Sequence, residues 1–277
     1  MILADLLEID ELTCVEPTFA ELVDGRYSQT ILDLAADAAR LVIDEAEQPL
    51  ALALRSENVW FAVHFVFRGP GMKIYERAEE LDAEIYQESR DTWLAGLREY
   101  YCRDLRERVE PAPEDTRPGR DTEIRDLLTG VWSGFGGTSC IDGCCGSGVA
   151  SAVLRGLGTT TLAYDNDPAL LSLGLATGRL RPEDTMWIDG TDASVYCPPA
   201  DRAVGLMLGD IRPYQADLWE AIVEEMLFLS RETLFSTATE AEIRMVSGWC
   251  AAQGRRVEVF ETDRDPIYDR WVCLVQE

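Results

Sequence analysis

The sequence predicts an α/β protein whose second half folds as a doubly wound, mainly parallel sheet. An apolar run ends in Asp142 and passes through a glycine turn into a helix, and a second apolar run ends in Asp165. Strand and helix patterns alternate to the end of the chain, which closes with two strand-like runs at residues 256–261 and 270–276. Right-handed crossovers convert such an alternation into a parallel sheet, and the closing pair adds an antiparallel edge hairpin.

The region before this sheet, residues 1–110, is predicted to be a mainly helical domain. Apolar residues recur at helical spacing over residues 30–42, and a much longer amphipathic helix is predicted over residues 74–105. Between them, residues 59–67 are apolar on every face. Periodicity therefore leaves a buried helix and a buried strand both open for that run.

Proline and charged residues concentrate in residues 111–121, which favours a linker between two domains. The second domain is then predicted to cover residues 122–277. Because the first domain carries no nucleotide-binding pattern, we expect it to form the substrate side of the protein. The sequence leaves open whether it is a lid over the crevice or a homodimer surface.

The chain is strongly acidic, with 51 acidic residues against 25 basic ones and a formal net charge of −26. Nucleic-acid affinity comes largely from neutralised phosphates, so this balance disfavours nucleic acid as a partner without excluding it. No apolar run approaches the length of a membrane span, and the first residues lack the basic start of a signal peptide. We expect a cytoplasmic protein with no membrane partner.

Histidine and cysteine usage argues against several reaction classes. His64 is the only histidine and lies among phenylalanines, so it is interpreted as a core residue, and neither a Ser-His-Asp hydrolase nor a zinc enzyme is expected. The spacing of Cys140, Cys144 and Cys145 does not match an iron–sulfur motif. We therefore expect free thiols in a reducing compartment, and no metal.

The glycine turn has the chemistry of a nucleoside-binding site. Gly146 and Gly148 let the backbone approach a ligand closely, and the following helix start presents free N–H groups. Asp165, at the end of the second strand, is placed to hold the two hydroxyls of a ribose. Asp142 would repel a pyrophosphate but can accept hydrogen bonds from an ammonium group, which favours S-adenosylmethionine (SAM) over a dinucleotide.

Four segments together resemble the class I SAM-dependent methyltransferases. The run DGCCGSG at 142–148 resembles the first motif of that family, and YDNDP at 164–168 resembles the second. WIDGTDA at 187–193 resembles the third, and AVGLMLGD at 203–210 resembles the fourth strand, whose tip faces the methyl group. The resemblance covers roughly residues 122–277 and implies a seven-stranded methyltransferase sheet with SAM as the cofactor.

The resemblance also implies which residues bind the cofactor. Asp165 would hold the ribose, and Asp189 or Asp192 would meet the adenine amine. The full set of expected cofactor-binding residues is Asp142, Gly143, Cys144, Gly146, Gly148, Asp165, Asn166, Asp189 and Asp192.

The expected catalytic residues follow the fourth strand. Asp210 would be the general base, with Tyr214 beside it, and Arg212 would bind a carboxylate or phosphate of the substrate. The first motif is nearest to the Asp-Pro-Phe-Cys-Gly-Ser-Gly variant of enzymes that methylate amino groups of RNA and DNA. Those enzymes continue with Asp/Asn-Pro-Pro-Tyr, however, whereas this chain has DIRPY at 210–214.

The sequence therefore predicts a SAM-dependent methyltransferase that acts on a small-molecule or protein acceptor. Methylation of an RNA base is the alternative, because of the first motif. A SAM- or nucleoside-binding protein without catalysis is a second alternative, because of the altered segment after the fourth strand.

Overall fold

The computed structural model describes residues 2–114, 116–264 and 268–277. The chain divides into two compact units, Met1–Asp104 and Leu105–Glu277. This division falls a few residues before the predicted linker, within a helix that spans Arg90–Arg108. The described residues between Val109 and Gly119 form neither helix nor strand. Part of the predicted connection between the last two strands, residues 265–267, lies outside the described residues.

The first unit is built around a mixed sheet. Its helices and strands are, in chain order, α1 (Ile2–Leu6), β1 (Leu12–Cys14), α2 (Tyr27–Leu32), β2 (Ala38–Ile43), β3 (Pro49–Ser56), β4 (Val59–His64), α3 (Met72–Glu80), β5 (Glu84–Gln87) and α4 (Arg90–Arg108). The five described strands lie in the order β1-β4-β3-β2-β5. β3 is the central strand, and residues 50–54 of it are fully buried.

The prediction of a mainly helical first domain is wrong. The expected helix over residues 30–42 is the end of α2 followed by β2, which pairs antiparallel with β3. Alanine and leucine at helical spacing also supply the buried positions of a half-buried strand. The hydrogen bonds that β2 forms with β3 favour the strand over the helix, and local periodicity contains no information about this pairing.

The long helix expected over residues 74–105 is also wrong, because it consists of α3, β5 and α4. Asp82 adopts a left-handed backbone (φ 49°) after α3, and β5 then pairs parallel with the edge of β2. Ile85, which fitted the apolar stripe, is 67% exposed on this edge strand. For residues 59–67 the sequence left both a buried helix and a buried strand open, and the structure has a strand over Val59–His64.

His64 is a core residue, as predicted. It is fully buried, and its Nδ1 lies 3.0 Å from Oε2 of the buried Glu16. Arg68 Nη2 donates to the other oxygen of Glu16 at 3.1 Å. His64 Nε2 lies 4.0 Å from the sulfur of Cys14, and burial raises the pKa of that thiol well above its usual range. Cys14 is therefore a neutral thiol, unsuited to nucleophilic catalysis.

The second unit contains the predicted doubly wound sheet. Its main elements are, in chain order, α5 (Arg120–Val131), β6 (Ser139–Gly143), α6 (Val149–Gly156), β7 (Thr160–Asp165), α7 (Pro168–Ala176), β8 (Thr185–Trp187), α8 (Ala193–Tyr196), β9 (Ala200–Gly205), α9 (Ala216–Leu229), β10 (Ser230–Thr237), α10 (Glu240–Ala252), β11 (Arg256–Glu261) and β12 (Trp271–Gln276). The described strands form a seven-stranded sheet with the order β11-β12-β10-β9-β6-β7-β8.

The sheet is parallel except at its C-terminal edge. β6 pairs parallel with both β7 and β9, whereas β12 pairs antiparallel with both β10 and β11. The predicted fold class of this unit and its antiparallel hairpin are therefore confirmed. The chain order reverses between β6 and β9, and in doubly wound sheets the carboxyl ends at such a reversal form the ligand-binding crevice.

Helices cover both faces of this sheet. α5 and α6 enclose a core against β6, β9 and β10 with Leu128, Leu154 and Val204 at its centre. On the other face, α9 contributes the buried residues Val223 and Met226. Among the described helices none is long and apolar enough to cross a membrane.

Candidate functional site

The turn after β6 has a backbone that favours glycine. Gly146 and Gly148 adopt left-handed φ values of 54° and 75°, and Gly148 is the N-cap of α6. A Cβ on Gly148 would collide with the side chain of Leu180, whereas a Cβ on Gly146 would have only a Leu170 methyl within 4 Å, at 3.9 Å. Gly148 is thus required by packing, and Gly146 leaves space beside the turn. Cys144 also has a positive φ (54°), a strained conformation for a residue with a side chain.

Asp165 joins the first two motifs. Its Oδ2 accepts a hydrogen bond from the Gly146 N–H at 2.8 Å, and its Oδ1 accepts one from the Asp167 N–H at 2.8 Å. Burial raises the pKa of Asp165, although these backbone donors favour its ionised form. Each carboxylate oxygen has a second lone pair, so both can still accept a ligand hydroxyl. Asp165 therefore fixes the glycine turn and keeps the capacity to bind a ribose.

Asp142 lies at the end of β6 and is almost completely buried. Its Oδ2 accepts a hydrogen bond from Ser151 Oγ at 2.6 Å. Burial raises the pKa of Asp142 to about 7, against the opposing effect of the bond from Ser151. A cation bound beside it would lower that pKa, because an opposite charge favours the ionised form.

A cavity of about 510 Å³ opens at the carboxyl ends of the strands in the second unit. Its walls include the glycine turn, the loops after β7 and β9, the start of α5 and one face of α9. The described lining residues are Thr116, Arg120, Ile124, Asp142, Cys144, Cys145, Gly146, Ser147, Val149, Ala150, Tyr164, Asp165, Asn166, Asp167, Leu170, Gly190, Leu206, Met207, Gly209, Gln215, Leu218, Trp219, Ile222 and Tyr268. This volume lies within the usual range of ~300–1,000 Å³ for small-ligand sites.

The strand order decides the fold family. Numbered one to seven along the second unit, the described strands lie in the order 3-2-1-4-5-7-6, with the seventh antiparallel to its neighbours. The glycine turn follows strand one, and the acid that holds this turn ends strand two. This is the fold of the class I SAM-dependent methyltransferases.

Several solved structures are similar to the chain. The magnesium protoporphyrin IX methyltransferase of Synechocystis PCC 6803 is 16% identical, with 66% of this chain and 97% of that chain covered and a TM-score of 0.47. TrmN from Thermus thermophilus is 18% identical, with 57% and 53% covered and a TM-score of 0.44. No protein-family model and no curated protein matches the chain. At these scores the fold assignment depends on the strand order and not on the similarities.

The methyltransferase fold brings five of the nine predicted cofactor-binding residues to the cavity wall. They are Asp142, Cys144, Gly146, Asp165 and Asn166. Gly143 has a different role, because a Cβ there would stand 2.7 Å from the hydroxyl oxygen of Tyr164 and 3.0 Å from Met226. Gly143 thus makes room for neighbouring side chains beneath the turn.

The two acids of the third motif are not among the described lining residues of the cavity. Asp189 is exposed and caps the short 3₁₀ helix Gly190–Asp192, accepting from the Thr191 N–H at 3.0 Å and the Thr191 hydroxyl at 2.8 Å. Asp192 is also exposed. Of this loop, Gly190 is the described residue that reaches the cavity. The expected contact of Asp189 or Asp192 with an adenine amine stays a prediction.

The prediction that Asp210 stands at the tip of the fourth strand is wrong. β9 ends at Gly205, and two residues later Met207 adopts a left-handed φ of 53° with its N–H donating to Ser236 Oγ at 2.7 Å. Asp210 is 65% exposed and forms an ion pair with Arg212, whose Nε lies 2.7 Å from Asp210 Oδ2. Tyr214 is 76% exposed. None of these three residues is among the described lining residues of the cavity.

The residues that do follow β9 at the cavity are Leu206, Met207 and Gly209. None of them has a titratable side chain. They occupy the place that the sequence assigned to the catalytic Asp210, so the described end of this strand presents an apolar wall to the site.

Two further lining residues had no sequence signal. Arg120, placed in the predicted linker, begins α5 and its Nη1 lies 2.8 Å from Oδ2 of the buried Asp269. Its guanidinium carbon lies 4.4 Å from the ring centroid of Tyr268. Asp269 also accepts from Ser236 Oγ, the acceptor of the Met207 N–H. This network links four separate segments, which only the folded chain brings together.

The cysteines of the turn are neutral thiols. Burial raises the pKa of Cys144 and of Cys145, with the neighbouring aspartates adding to the effect. All eight cysteines of the chain are free. Among the described residues no group of histidine, cysteine and acidic side chains is arranged to hold a metal ion.

Proposed function

We propose that the second unit binds SAM at the ends of β6 and β7 and transfers its methyl group to a small-molecule or protein acceptor. The observation that carries this proposal is the Asp165 carboxylate, which bridges the glycine turn and the loop after β7 at the edge of the cavity. In a sheet with the methyltransferase strand order, that is the position of a ribose-binding acid.

The residues present fit this cofactor. Among the described residues, the charged side chains that line the cavity are the carboxylates Asp142, Asp165 and Asp167 and the guanidinium of Arg120, which is paired with Asp269. The three carboxylates suit a ligand with a sulfonium and an ammonium group better than a pyrophosphate. The Gly146 position leaves space beside the turn for close approach of a ligand.

The chain has little chemistry to perform beyond positioning. SAM supplies a methyl group already activated by its sulfonium. The protein then has to hold the acceptor in line with that methyl group and exclude water, and such positioning accounts for much of the rate enhancement in reactions of this kind. Leu206, Met207 and Trp219 supply an apolar wall for the acceptor side.

A non-catalytic SAM-binding protein is the second candidate function. The exposed Asp210–Arg212 pair and the apolar end of β9 favour it, because the described residues after this strand offer no general base to the cavity. We retain Asp210, Tyr214 and Arg212 as proposed acceptor-side residues only for an acceptor that extends out of the cavity. RNA base methylation stays an alternative, which the charge of −26 disfavours.

Calorimetric titration with S-adenosylhomocysteine (SAH), compared with NAD, tests the cofactor. We expect SAH to bind and Asp165→Ala to abolish binding. Asp201→Ala is the matched control, because the Asp201 carboxylate also binds backbone, accepting from the Ser139 N–H at 2.9 Å at the opposite end of β6. Thermal melting of both variants identifies any loss of folding.

Incubation with methyl-labelled SAM then separates the candidate functions. Label in small molecules or protein of an extract supports the proposal, and label in RNA supports the alternative. SAH binding without transfer to any fraction supports the non-catalytic protein. Preference for NAD, or no SAH binding by the folded wild type, contradicts the proposed function.

A further inference from the structure

The side of the cavity next to β9 is lined by uncharged side chains. The glycine turn and Asp165 lie at the ends of β6 and β7, so a nucleoside held there leaves the β9 side for the methyl acceptor. Six described lining residues come from the segment after β9 and from the start of α9. They are Leu206, Met207, Gly209, Gln215, Leu218 and Trp219.

Trp219 is the largest side chain of this wall. A Cβ on Gly209 would stand 3.2 Å from Cζ2 of Trp219, so the bare backbone of Gly209 lets the edge of the indole lie against it. Leu218, the preceding residue of α9, lines the cavity and is still 46% exposed. A flat apolar ligand would remove this apolar surface from water, and aromatic rings pack well on an indole. The wall therefore fits an aromatic acceptor.

The charges of the cavity disfavour a charged acceptor. The three carboxylates near the glycine turn would repel an anion, and the guanidinium of Arg120 is already paired with Asp269. A cation against the apolar wall would lose its hydration without gaining a partner there. Gln215 adds a neutral amide, which can hydrogen-bond one polar group of an uncharged molecule.

The chemistry of this wall also restricts the atom that receives the methyl group. None of its six residues can serve as a general base, so a hydroxyl, thiol or ammonium group has no residue of this wall to take its proton. A pyridine-type ring nitrogen has its lone pair free at neutral pH. In the transfer that lone pair forms the new N–C bond, the C–S bond of SAM breaks, and its electron pair stays on sulfur. The positive charge passes to the ring nitrogen, and no proton has to leave.

We propose that the methyl acceptor is an uncharged aromatic heterocycle that packs against Trp219 and is methylated on a pyridine-type ring nitrogen. This inference rests on the proposed function and narrows its acceptor to one class of small molecule. The product carries a positive charge, which the nearby carboxylates of the cavity favour.

Quinoline is the probe for this class, and it is compared with two molecules of similar shape. A quinoline carboxylate adds a negative charge, and naphthol replaces the ring nitrogen by a hydroxyl that must lose a proton. Calorimetric titration of the SAH-bound protein measures binding, and methyl-labelled SAM measures transfer. We expect quinoline to bind and to be methylated, its carboxylate to bind about tenfold more weakly, and naphthol to bind without being methylated.

Substitutions on the wall test where the acceptor binds. Trp219→Ala should raise the Kd of quinoline about tenfold and leave the Kd of SAH unchanged. Leu218→Ala, at a position exposed enough for folding to tolerate the change, should raise the Kd of quinoline about threefold. Trp249→Ala is the matched control, because Trp249 is a partly buried tryptophan of α10 outside the described lining residues. It should leave both Kd values unchanged.

Several results would overturn the acceptor class while leaving the proposed function intact. They are SAH binding with transfer to naphthol, to the carboxylate or to protein in preference to quinoline, and SAH binding without any transfer to quinoline. An unchanged Kd of quinoline in both wall variants would also overturn it, and so would an equal loss of SAH affinity in Trp219→Ala. If the folded wild type does not bind SAH, the proposed function fails and this inference fails with it.

Discussion

Asp142 is expected to make the stability of the protein fall as the pH rises toward neutrality. Burial raises its pKa from 3.8 to about 7, so the folded state retains a proton that the unfolded chain releases over this interval. The unfolded state then binds fewer protons, and the unfolding free energy decreases with pH between these two values. Relative to a carboxyl with the ordinary pKa, Asp142 therefore lowers the unfolding free energy by about 2 kcal/mol at pH 5.5 and by about 4 kcal/mol at pH 8.

Asp142→Asn removes this titration and keeps the shape of the side chain. We expect the unfolding free energy of the variant, relative to wild type, to increase by about 2 kcal/mol between pH 5.5 and pH 8, measured by urea denaturation of the ligand-free proteins. Asp201→Asn is the control, because hydrogen bonds from Ser139 lower the pKa of the exposed Asp201, so its effect on stability does not change between pH 5.5 and pH 8. A variant-to-wild-type difference that does not change with pH would refute the reasoning.

Three further substitutions probe separate features. Gly148→Ala should lower the unfolding free energy by about 2–4 kcal/mol, because the strain of the left-handed backbone adds to the collision of the new Cβ with Leu180. Gly146→Ala should lower it by only about 1–2 kcal/mol, because it adds backbone strain without a collision. Urea denaturation compares the two variants. Glu16→Gln should destabilise by about 3–5 kcal/mol, because it removes the buried carboxylate that pairs with the largely buried Arg68, and equal melting temperatures would contradict this. Asp210→Asn should leave SAH affinity unchanged, since this acid is outside the cavity lining, and a weaker Kd by calorimetry would place it at the cofactor.

Local pattern was a poor guide to the first unit for an identifiable reason. β2 and β5 are formed by residues whose apolar spacing also fits a helix, and β5 leaves Ile85 exposed at the edge. Their strand conformation depends on hydrogen bonds between segments distant in sequence. The free energy of this strand pairing is a property of the assembled sheet, so it cannot be predicted from the apolar spacing of one segment.

The site shows the same division between local and tertiary information. Gly146 and Asp165 were predicted because the turn and the strand ends are read from contiguous residues. The error at Asp210 arose because β9 ends at Gly205, where Met207 turns to a left-handed φ and its N–H donates to Ser236 of β10, a residue distant in sequence. Arg120 was assigned to a linker, and its ion pair with Asp269 depends on a residue near the other end of the chain.

The sequence by itself determined the doubly wound sheet, the glycine turn and the acid at the end of β7. The sheet follows from strand and helix periods, and the position of the acid follows from the convergence of parallel strand ends. The turn follows from its glycines, since glycine readily adopts the positive φ found at Gly148. All of these are local or topological rules. Only the tertiary structure decided the sheet of the first unit and which side chains reach the cavity. Burial and hydrogen-bond partners belong to the packed chain, because each depends on atoms contributed by several segments at once.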